Sequence, residues 1–197
     1  LKRVKEEVGV PVISDVHSVN QVKAAAEVLD IVQIPAFLCR QTSLAIAVGK
    51  ANKPTNIKKS QFLSPRDMKS VIEKFKSTKN DNILITERGT SFGYNNLVVD
   101  MRSLPLLRKY GYPVVFDIAH TVRNPGIPSE DPKGGRPELA LNLIRAAVAN
   151  GIDALFLETH PDPKRALCDS SSMIKLSTLP GILKQVKTLD DVIRKWK

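Results

Sequence analysis

The sequence predicts an α/β fold in which parallel strands alternate with helices over a single domain, residues 1–197. Short apolar runs, which are typical of buried parallel strands, recur along the whole chain. Each run is followed by a longer segment whose apolar residues have helical spacing. The strand–helix units repeat about every 25–35 residues, as expected for parallel strands joined by helical crossovers.

Six strands are predicted from the apolar runs: Val12–Ser14, Ile31–Ile34, Thr55–Ile57, Ile83–Thr86, Val114–Ile118 and Ala154–Leu157. The clearest helices follow them: Val19–Leu29, Thr42–Lys50, Pro65–Ser77, Leu104–Tyr110, Pro137–Asn150 and Leu179–Lys195. Ser64 and Pro65 form a typical helix start, and Asp67 suits the positive end of the helix dipole. Gly111 and Gly151 stand just past helical segments, where a left-handed residue often ends a helix.

The position of the polar residues decides between two architectures for such units. An open doubly wound sheet would gather functional side chains where the strand order reverses. Here polar residues follow every predicted strand, which is typical of the catalytic mouth of a barrel. No glycine-rich dinucleotide or phosphate loop follows any of the strands. The sequence therefore predicts a TIM (β/α)8 barrel.

Six strand–helix units are visible, whereas a closed barrel has eight. The first residues, LKRVKEE, have helical character but no strand before them. We therefore expect a barrel that lacks about the first two strand–helix units. Such a sheet has two uncovered strand edges, which are a structural liability.

Composition excludes several classes of protein. The net charge is +10, but the basic residues are scattered over predicted helix surfaces and aromatic residues are 5%, so we expect no nucleic-acid partner. No segment approaches the ~18 apolar residues of a membrane span, and the residues LKRVKEEVGV are charged and unlike the apolar core of a signal peptide, so we expect a cytoplasmic protein without a membrane partner. Cys39 and Cys168 have no pairing or metal-site pattern and fit packing or incidental roles.

Two cationic residues form a candidate anion site. Lys58 and Lys59 follow the third strand, and neighbouring residues of an extended chain point to opposite faces, so one of them is expected inside the mouth. Arg88 follows the next strand, and its planar guanidinium suits a phosphate or carboxylate. Alone, the lysines fit surface charge and Arg88 fits a salt bridge to Glu87. Together, Lys58 and Arg88 predict an anion cradle.

A second candidate set has one imidazole and two carboxylates. His120 and Glu158 end the fifth and sixth strands, and Asp169 lies 11 residues beyond Glu158. These groups are suitable ligands for a divalent metal such as iron, manganese or zinc. They could equally act as acids and bases without a metal, or as hydrogen-bonded loop residues. Asp15, His17 and His160 add polar groups to the same rim.

Six longer motifs are spread along the chain: SDVH (14–17), QIPAFLCRQT (33–42), NIKKSQF (56–62), TERGTSFGYNNLVVDMRSLP (86–105), FDIAH (116–120) and ETHPDP (158–163). In content and order they resemble the 3-deoxy-D-manno-octulosonate 8-phosphate synthase family. The motif at 86–105 distinguishes this family from the related 3-deoxy-D-arabino-heptulosonate 7-phosphate synthases, which share the barrel and the phosphoenolpyruvate chemistry.

The resemblance implies condensation of phosphoenolpyruvate with D-arabinose 5-phosphate and water, on the route to the inner sugar of lipopolysaccharide. It implies that Lys58 and Arg88 hold phosphoenolpyruvate beside the backbone near Ala36. Phe37 and Arg40 would border the sugar phosphate site, next to another subunit of a homotetramer. The catalytic residues implied by the resemblance are Lys58, His120 and Asp15.

The resemblance also leaves open whether the protein depends on a metal ion. His120, Glu158 and Asp169 match the positions that bind one divalent ion in metal-dependent members, and Asp15 matches a residue near the metal-bound water. A first-strand residue, cysteine or asparagine, separates metal-dependent from metal-independent members, and that strand has no counterpart in this sequence. Both branches therefore stay open at this point, with iron, zinc or manganese as the candidate ions.

Two departures from the family pattern affect the loops. The segment TVRNPGIPSEDPKGGRPE places Arg136 directly after Gly134-Gly135, one position earlier than usual, and Ser170 replaces the usual glycine after Asp169. Two alternatives are kept beside the main hypothesis. One is an enzyme like the heptulosonate synthases, with a different acceptor aldehyde. The other is an inactive truncated barrel with only a binding role.

Overall fold

The computed structural model describes residues 1–128 and 130–196, and six parallel strands form its main sheet in sequence order. The strands are β1 Ile13–Asp15, β2 Ile31–Ile34, β3 Thr55–Lys58, β4 Ile83–Glu87, β5 Val114–Asp117 and β6 Ala154–Phe156. All six predicted strands are confirmed. A second parallel pair, β7 Thr159–His160 and β8 Ile174–Lys175, was not predicted.

The helices are α1 Lys2–Val8, α2 Val19–Val28, α3 Thr42–Lys50, α4 Met68–Lys76, α5 Ser103–Arg108, α6 Ile118–Thr121, α7 Ala140–Ala149 and α8 Leu179–Arg194. Short 3-10 turns precede three of them, at Pro65–Asp67, Pro137–Leu139 and Leu176–Thr178. No helix among the described residues has the length and apolar character needed to span a membrane.

Local hydrogen bonds explain where several elements begin and end. Ser64 and Asp67 exchange side-chain and backbone hydrogen bonds in a capping box, at the helix start that the sequence predicted. Gly111 and Gly151 adopt positive φ values of 85° and 76°, which few other residues tolerate. The predicted strand Val114–Ile118 is one residue too long, because the Asp117 carboxylate accepts from the His120 backbone N–H and starts α6.

The strands belong to a curled sheet of the barrel type. Their order never reverses, whereas a doubly wound sheet has a reversal. In a flat sheet, β3 and β6 would lie about 14 Å apart, three strand spacings. Nevertheless, Lys58 Nζ on β3 lies 3.5 Å from the centroid of the Phe156 ring on β6. The sheet therefore bends around its inner face, as in part of a TIM barrel.

The main hydrophobic core lies between the outer face of this sheet and the helices. Side chains alternate along each strand, so Ile57 and Phe116 point outward into the core. Lys58 and Asp117, the next residues along, therefore point inward to the opposite face. Because side chains alternate along each strand, polar groups from several strands meet at one end of the barrel interior.

Candidate active site

The strand ends place one buried ion pair at the centre of the mouth. Lys58 Nζ donates to Asp117 Oδ2 over 2.8 Å, and their side chains are 6% and 0% exposed. His120 Nδ1 lies 2.8 Å from the same oxygen, but out of line for a hydrogen bond. One carboxylate therefore faces both an ammonium group and an imidazole ring.

Two effects oppose each other at Asp117. Burial alone would raise the pKa of this carboxyl group. The contacts with His120 and then Lys58 outweigh burial and lower the pKa to about 2. Asp117 is therefore a carboxylate at neutral pH, and it balances the positive charge of Lys58 away from water.

Lys59 points away from this group, to the outer face of the sheet. Its ammonium is fully buried, donates to the Leu63 carbonyl over 3.0 Å, and lies 3.4 Å from Glu87 Oε1. Glu87 also accepts from Gly89 N–H and from Ser103 Oγ–H. The lysine pair is thus buried on both faces, and the partner of Glu87 is Lys59. Surface charge does not explain either lysine.

Arg88 is buried on the inner side, with 7% of its surface exposed. Its Nη1 group has no hydrogen-bond partner among the described residues. Burial lowers the pKa of this guanidinium, the charge of Asp117 raises it, and the charge of Arg123 lowers it. The charges of both residues therefore act on Arg88. A buried, charged donor is unfavourable unless a ligand accepts a hydrogen bond from it. Arg88 is therefore suited to bind an anion.

His120, Glu158 and Asp169 come together as one group. One ligand atom from each lies within 4.8 Å of the others, and His120 Nε2 is 3.9 Å from Glu158 Oε1. Glu158 Oε2 is buried without a hydrogen-bond partner among the described residues. Burial raises the pKa of Glu158; His120 opposes this, Asp169 and Asp117 add to it, and Lys58 opposes it. A cation would satisfy the orphaned oxygen, so these donors fit a divalent ion.

Asp15 belongs to a polar ladder that crosses the inner face of four strands. Gln33 Nε2 donates to Asp15 Oδ1 over 2.5 Å, and Asn56 Nδ2 donates to Gln33 Oε1 over 2.7 Å. Thr86 Oγ1 then donates to Asn56 Oδ1 over 2.6 Å. The ladder fixes the orientation of each member at its strand. It ends in the exposed Asp15 carboxylate at the rim.

The residues predicted to border the sugar phosphate lie at the rim of the mouth. Ala36 is buried in a 3-10 turn after β2, and its carbonyl accepts from Ser60 Oγ–H. Phe37 and Arg40 follow it and are exposed, and Lys74 Nζ donates to the Arg40 carbonyl. Phe37 and Arg40 are thus exposed, whereas the Lys58–Asp117 pair is buried. Their side chains are free to contact a ligand or another surface.

Sequence reasoning gave no role to two residues that organise this site. Asp117 was one of several polar residues at strand ends, and its contact with Lys58 spans 59 residues of sequence. Arg123 pairs with Asp169 across 46 residues. The polar ladder did have a signal in the sequence at Gln33 and Asn56, because a polar residue inside a buried parallel strand needs a polar partner.

Comparisons with known proteins complete the description. The model of the DAHP synthetase I family matches residues 1–195. Three relatives named 2-dehydro-3-deoxyphosphooctonate aldolase come from Geotalea uraniireducens (strain Rf4), Trichlorobacter lovleyi and Geobacter sulfurreducens. They are 58%, 56% and 54% identical to this chain over 194 residues. The matched residues are 98% of this chain and 71% of each relative.

We predict that Asp117→Asn strongly destabilises the fold, because it leaves the buried Lys58 ammonium without a counter-charge. The expected loss in the free energy of unfolding is about 3–5 kcal/mol, as for other broken buried pairs. Urea unfolding followed by circular dichroism measures it.

The control is Asp191→Asn, which breaks the exposed Lys187–Asp191 pair and should cost far less. Adding Lys58→Met to Asp117→Asn should recover part of the loss, since it removes the orphaned charge. Equal losses for the two single variants would contradict a structural role for Asp117.

Proposed function

This chain belongs to the DAHP synthetase I family, and we propose that it condenses phosphoenolpyruvate with D-arabinose 5-phosphate and water. The products are 3-deoxy-D-manno-octulosonate 8-phosphate, a precursor of the inner sugar of lipopolysaccharide, and inorganic phosphate. One observation carries the assignment of the site: a buried arginine, Arg88, has an unpaired donor, and the charge of Asp117, the partner of Lys58, acts on it. Such a donor set suits a substrate with both a carboxylate and a phosphate.

In this proposal, Lys58 and Arg88 hold phosphoenolpyruvate, and the turn at Ala36 lines the same pocket. Asp117 keeps the Lys58 ammonium in place without releasing it to solvent, because both side chains are buried. Arg88 offers its unpaired Nη1 to an oxygen of the substrate. Since these cations are already desolvated, they bind an anion without a further reorganisation cost.

The reaction forms one carbon–carbon bond and exchanges water for phosphate. The methylene carbon of phosphoenolpyruvate attacks the aldehyde carbon of the sugar, and the aldehyde oxygen takes a proton to become a hydroxyl. Water then adds to the resulting cationic carbon, and phosphate leaves with its carbon–oxygen bond cleaved. Positive charge thus develops near carboxylates of the mouth, and Asp117, Glu158 and Asp169 stabilise it.

Proton transfer in this proposal falls to His120 and Asp15. The Nδ1 side of His120 faces the Asp117 carboxylate, which favours a proton on Nδ1 and leaves Nε2 free toward the mouth. With no ion bound, Nε2 gives a proton to the aldehyde oxygen as the carbon–carbon bond forms and later accepts one from the attacking water. Asp15, fixed by Gln33 at the rim, orients the water.

A divalent ion fits this site, and we propose that His120, Glu158 and Asp169 would hold it. The orphaned Oε2 of Glu158 and the closeness of the three ligand atoms support this assignment. Asp117 is placed to orient the ligand histidine, as carboxylates do in many metal sites. When bound, such an ion polarises water or a carbonyl group. Iron, zinc and manganese all suit one imidazole and two carboxylates.

We also propose that the chain forms a homo-oligomer, with a tetramer as the expected state. Three aromatic residues at the mouth side support it, because Phe37, Phe92 and Tyr94 are 69%, 79% and 97% exposed. Exposed aromatic groups of this kind are typical of interfaces between subunits. The cytoplasm is the proposed location, since both substrates are phosphates that do not cross membranes unaided.

The acceptor sugar separates the main proposal from its nearest alternative. We expect phosphate release from phosphoenolpyruvate with arabinose 5-phosphate, and at least about tenfold less with erythrose 4-phosphate, since a shorter sugar cannot span the same contacts. A coupled phosphate assay and mass spectrometry of the product measure it. Faster release with erythrose 4-phosphate would favour a heptulosonate synthase, and no release with either would favour the inactive barrel.

We predict that Arg88→Ala lowers kcat/KM for phosphoenolpyruvate by about 100-fold or more, because a buried charged hydrogen bond to the substrate is lost. Steady-state kinetics at varied phosphoenolpyruvate measures the effect. Arg66→Ala is the matched control, since Arg66 is exposed on the 3-10 turn before α4. Turnover of Arg88→Ala close to that of the control would exclude Arg88 from the anion site.

Assembly is tested by light scattering after size-exclusion chromatography. We expect a mass near four times the 21.7 kDa of the single chain. The double variant Phe92→Ser, Tyr94→Ser should shift the equilibrium toward smaller species, because it removes exposed aromatic area from the interface. A single-chain mass for the parent chain at micromolar concentration would refute the oligomer, and an unchanged mass for the double variant would exclude these two aromatic residues from the interface.

A further inference from the structure

The segment after α6 directs one arginine at the candidate metal site. Arg123 Nη1 donates to Asp169 Oδ1, and Nη2 donates to the Ile127 carbonyl over 3.2 Å. The Arg123 backbone forms an antiparallel bridge with Gly135, next to which Arg136 N–H donates to the Val122 carbonyl. Hydrogen bonds thus hold both the backbone around Arg123 and its guanidinium group in place. Its side chain is 17% exposed.

The Asp169 side of this contact is fixed as well. Asp169 has a φ of 49°, a left-handed conformation that aspartate tolerates better than most residues. Ser172 donates to the Asp169 carbonyl from its backbone N–H over 3.0 Å and from its hydroxyl over 3.2 Å. A Cβ on Gly135 would lie 2.4 Å from the Ser171 carbonyl oxygen, so the two loops are in close backbone contact. The ion pair joins two docked segments.

We propose that Arg123 competes with a divalent ion for Asp169 and thereby weakens metal binding by His120, Glu158 and Asp169. The inference rests on the metal site proposed above. A metal ion needs a lone pair of the Asp169 carboxylate, and the guanidinium already occupies one oxygen. Arg123 also adds a positive charge next to the ion, and this charge repels it.

The surrounding charges strengthen the argument. Lys58 and the proposed ligand His120 lie against the same oxygen of Asp117, and the charge of Arg123 acts on Arg88. A divalent ion would thus enter a site in which three cations already balance the carboxylates of Asp117, Glu158 and Asp169. Arg123 is the one of these three that contacts a proposed metal ligand directly among the described residues. In the absence of an ion, Arg123 balances the charge of Asp169 and holds its side chain in place.

An opposite role is conceivable for the same contact. Partners of metal ligands often orient the ligand and increase metal affinity. If Arg123 oriented Asp169 in this way, its removal would weaken metal binding. Competition predicts that its removal strengthens metal binding. The direction of the change therefore distinguishes the two roles.

The experiment measures Mn²⁺ binding to the substrate-free chain, with free Mn²⁺ determined by electron paramagnetic resonance. Mn²⁺ suits carboxylate and imidazole ligands and avoids a contribution from the Cys168 thiol. For Arg123→Gln we expect the Kd to fall by about 10-fold or more, the size of effect reported for partners of metal ligands. Arg123→Lys should give an intermediate Kd, because the charge stays but the planar fork is lost.

Arg145→Gln is the matched control, since it removes the same charge from an exposed arginine that contacts Gln185 on α8. Its Kd should equal that of the parent chain. Asp169→Asn should abolish the gain in the Arg123→Gln background, which locates the measured ion. Circular dichroism confirms that the variants are folded.

An unchanged or larger Kd for Arg123→Gln in a folded chain would overturn the competition, as would tighter binding that persists with Asp169→Asn. Because no substrate is used, these results are independent of catalytic activity. A chain that binds Mn²⁺ as expected but releases no phosphate would contradict the proposed reaction and leave the role of Arg123 standing.

Discussion

The buried carboxylate of Asp117 is the group on which the arrangement of the mouth depends. It forms the ion pair with Lys58, lies against the imidazole of His120, and accepts the backbone N–H that starts α6. These three contacts tie β3 to β5 and fix the position of His120. Without this negative charge, the buried Lys58 ammonium would lack a counter-charge and would destabilise the fold. The same group therefore stabilises the barrel and prepares the anion site.

The alternation of side chains along β3 and β4 produces two buried ion pairs on opposite faces of one sheet. Lys58 pairs inward with Asp117, and Lys59 pairs outward with Glu87. The outer pair anchors the loop after β3, because Lys59 also donates to the Leu63 carbonyl. Asp117 thus holds Lys58 at the mouth, while Lys59 holds the loop that follows β3. This division explains why two adjacent lysines are both buried.

Local patterns predicted the elements that have enough residues to show a period. Six strands and six helices followed from apolar spacing, and Lys58 and Arg88 were singled out because they follow strand ends. The strands β7 and β8 have two residues each, too few for any period, and were missed. The pairs Lys58–Asp117 and Arg123–Asp169 join distant segments, so they depend on how far the sheet curls. A single sequence carries no direct signal for such contacts.

The charges at the mouth couple the binding of an anionic substrate to the binding of a divalent ion. Lys58, Arg88 and Arg123 bring three positive charges, and Asp117, Glu158 and Asp169 bring three negative ones. This group is close to neutral before any ligand binds. A phosphate ester with a carboxylate would leave it negative, and a divalent ion alone would leave it positive. Unbalanced charge is costly where burial limits screening, so each ligand favours the other. Arg123 contacts the proposed metal ligand Asp169, and its charge acts on Arg88 of the anion site, so it takes part in both balances.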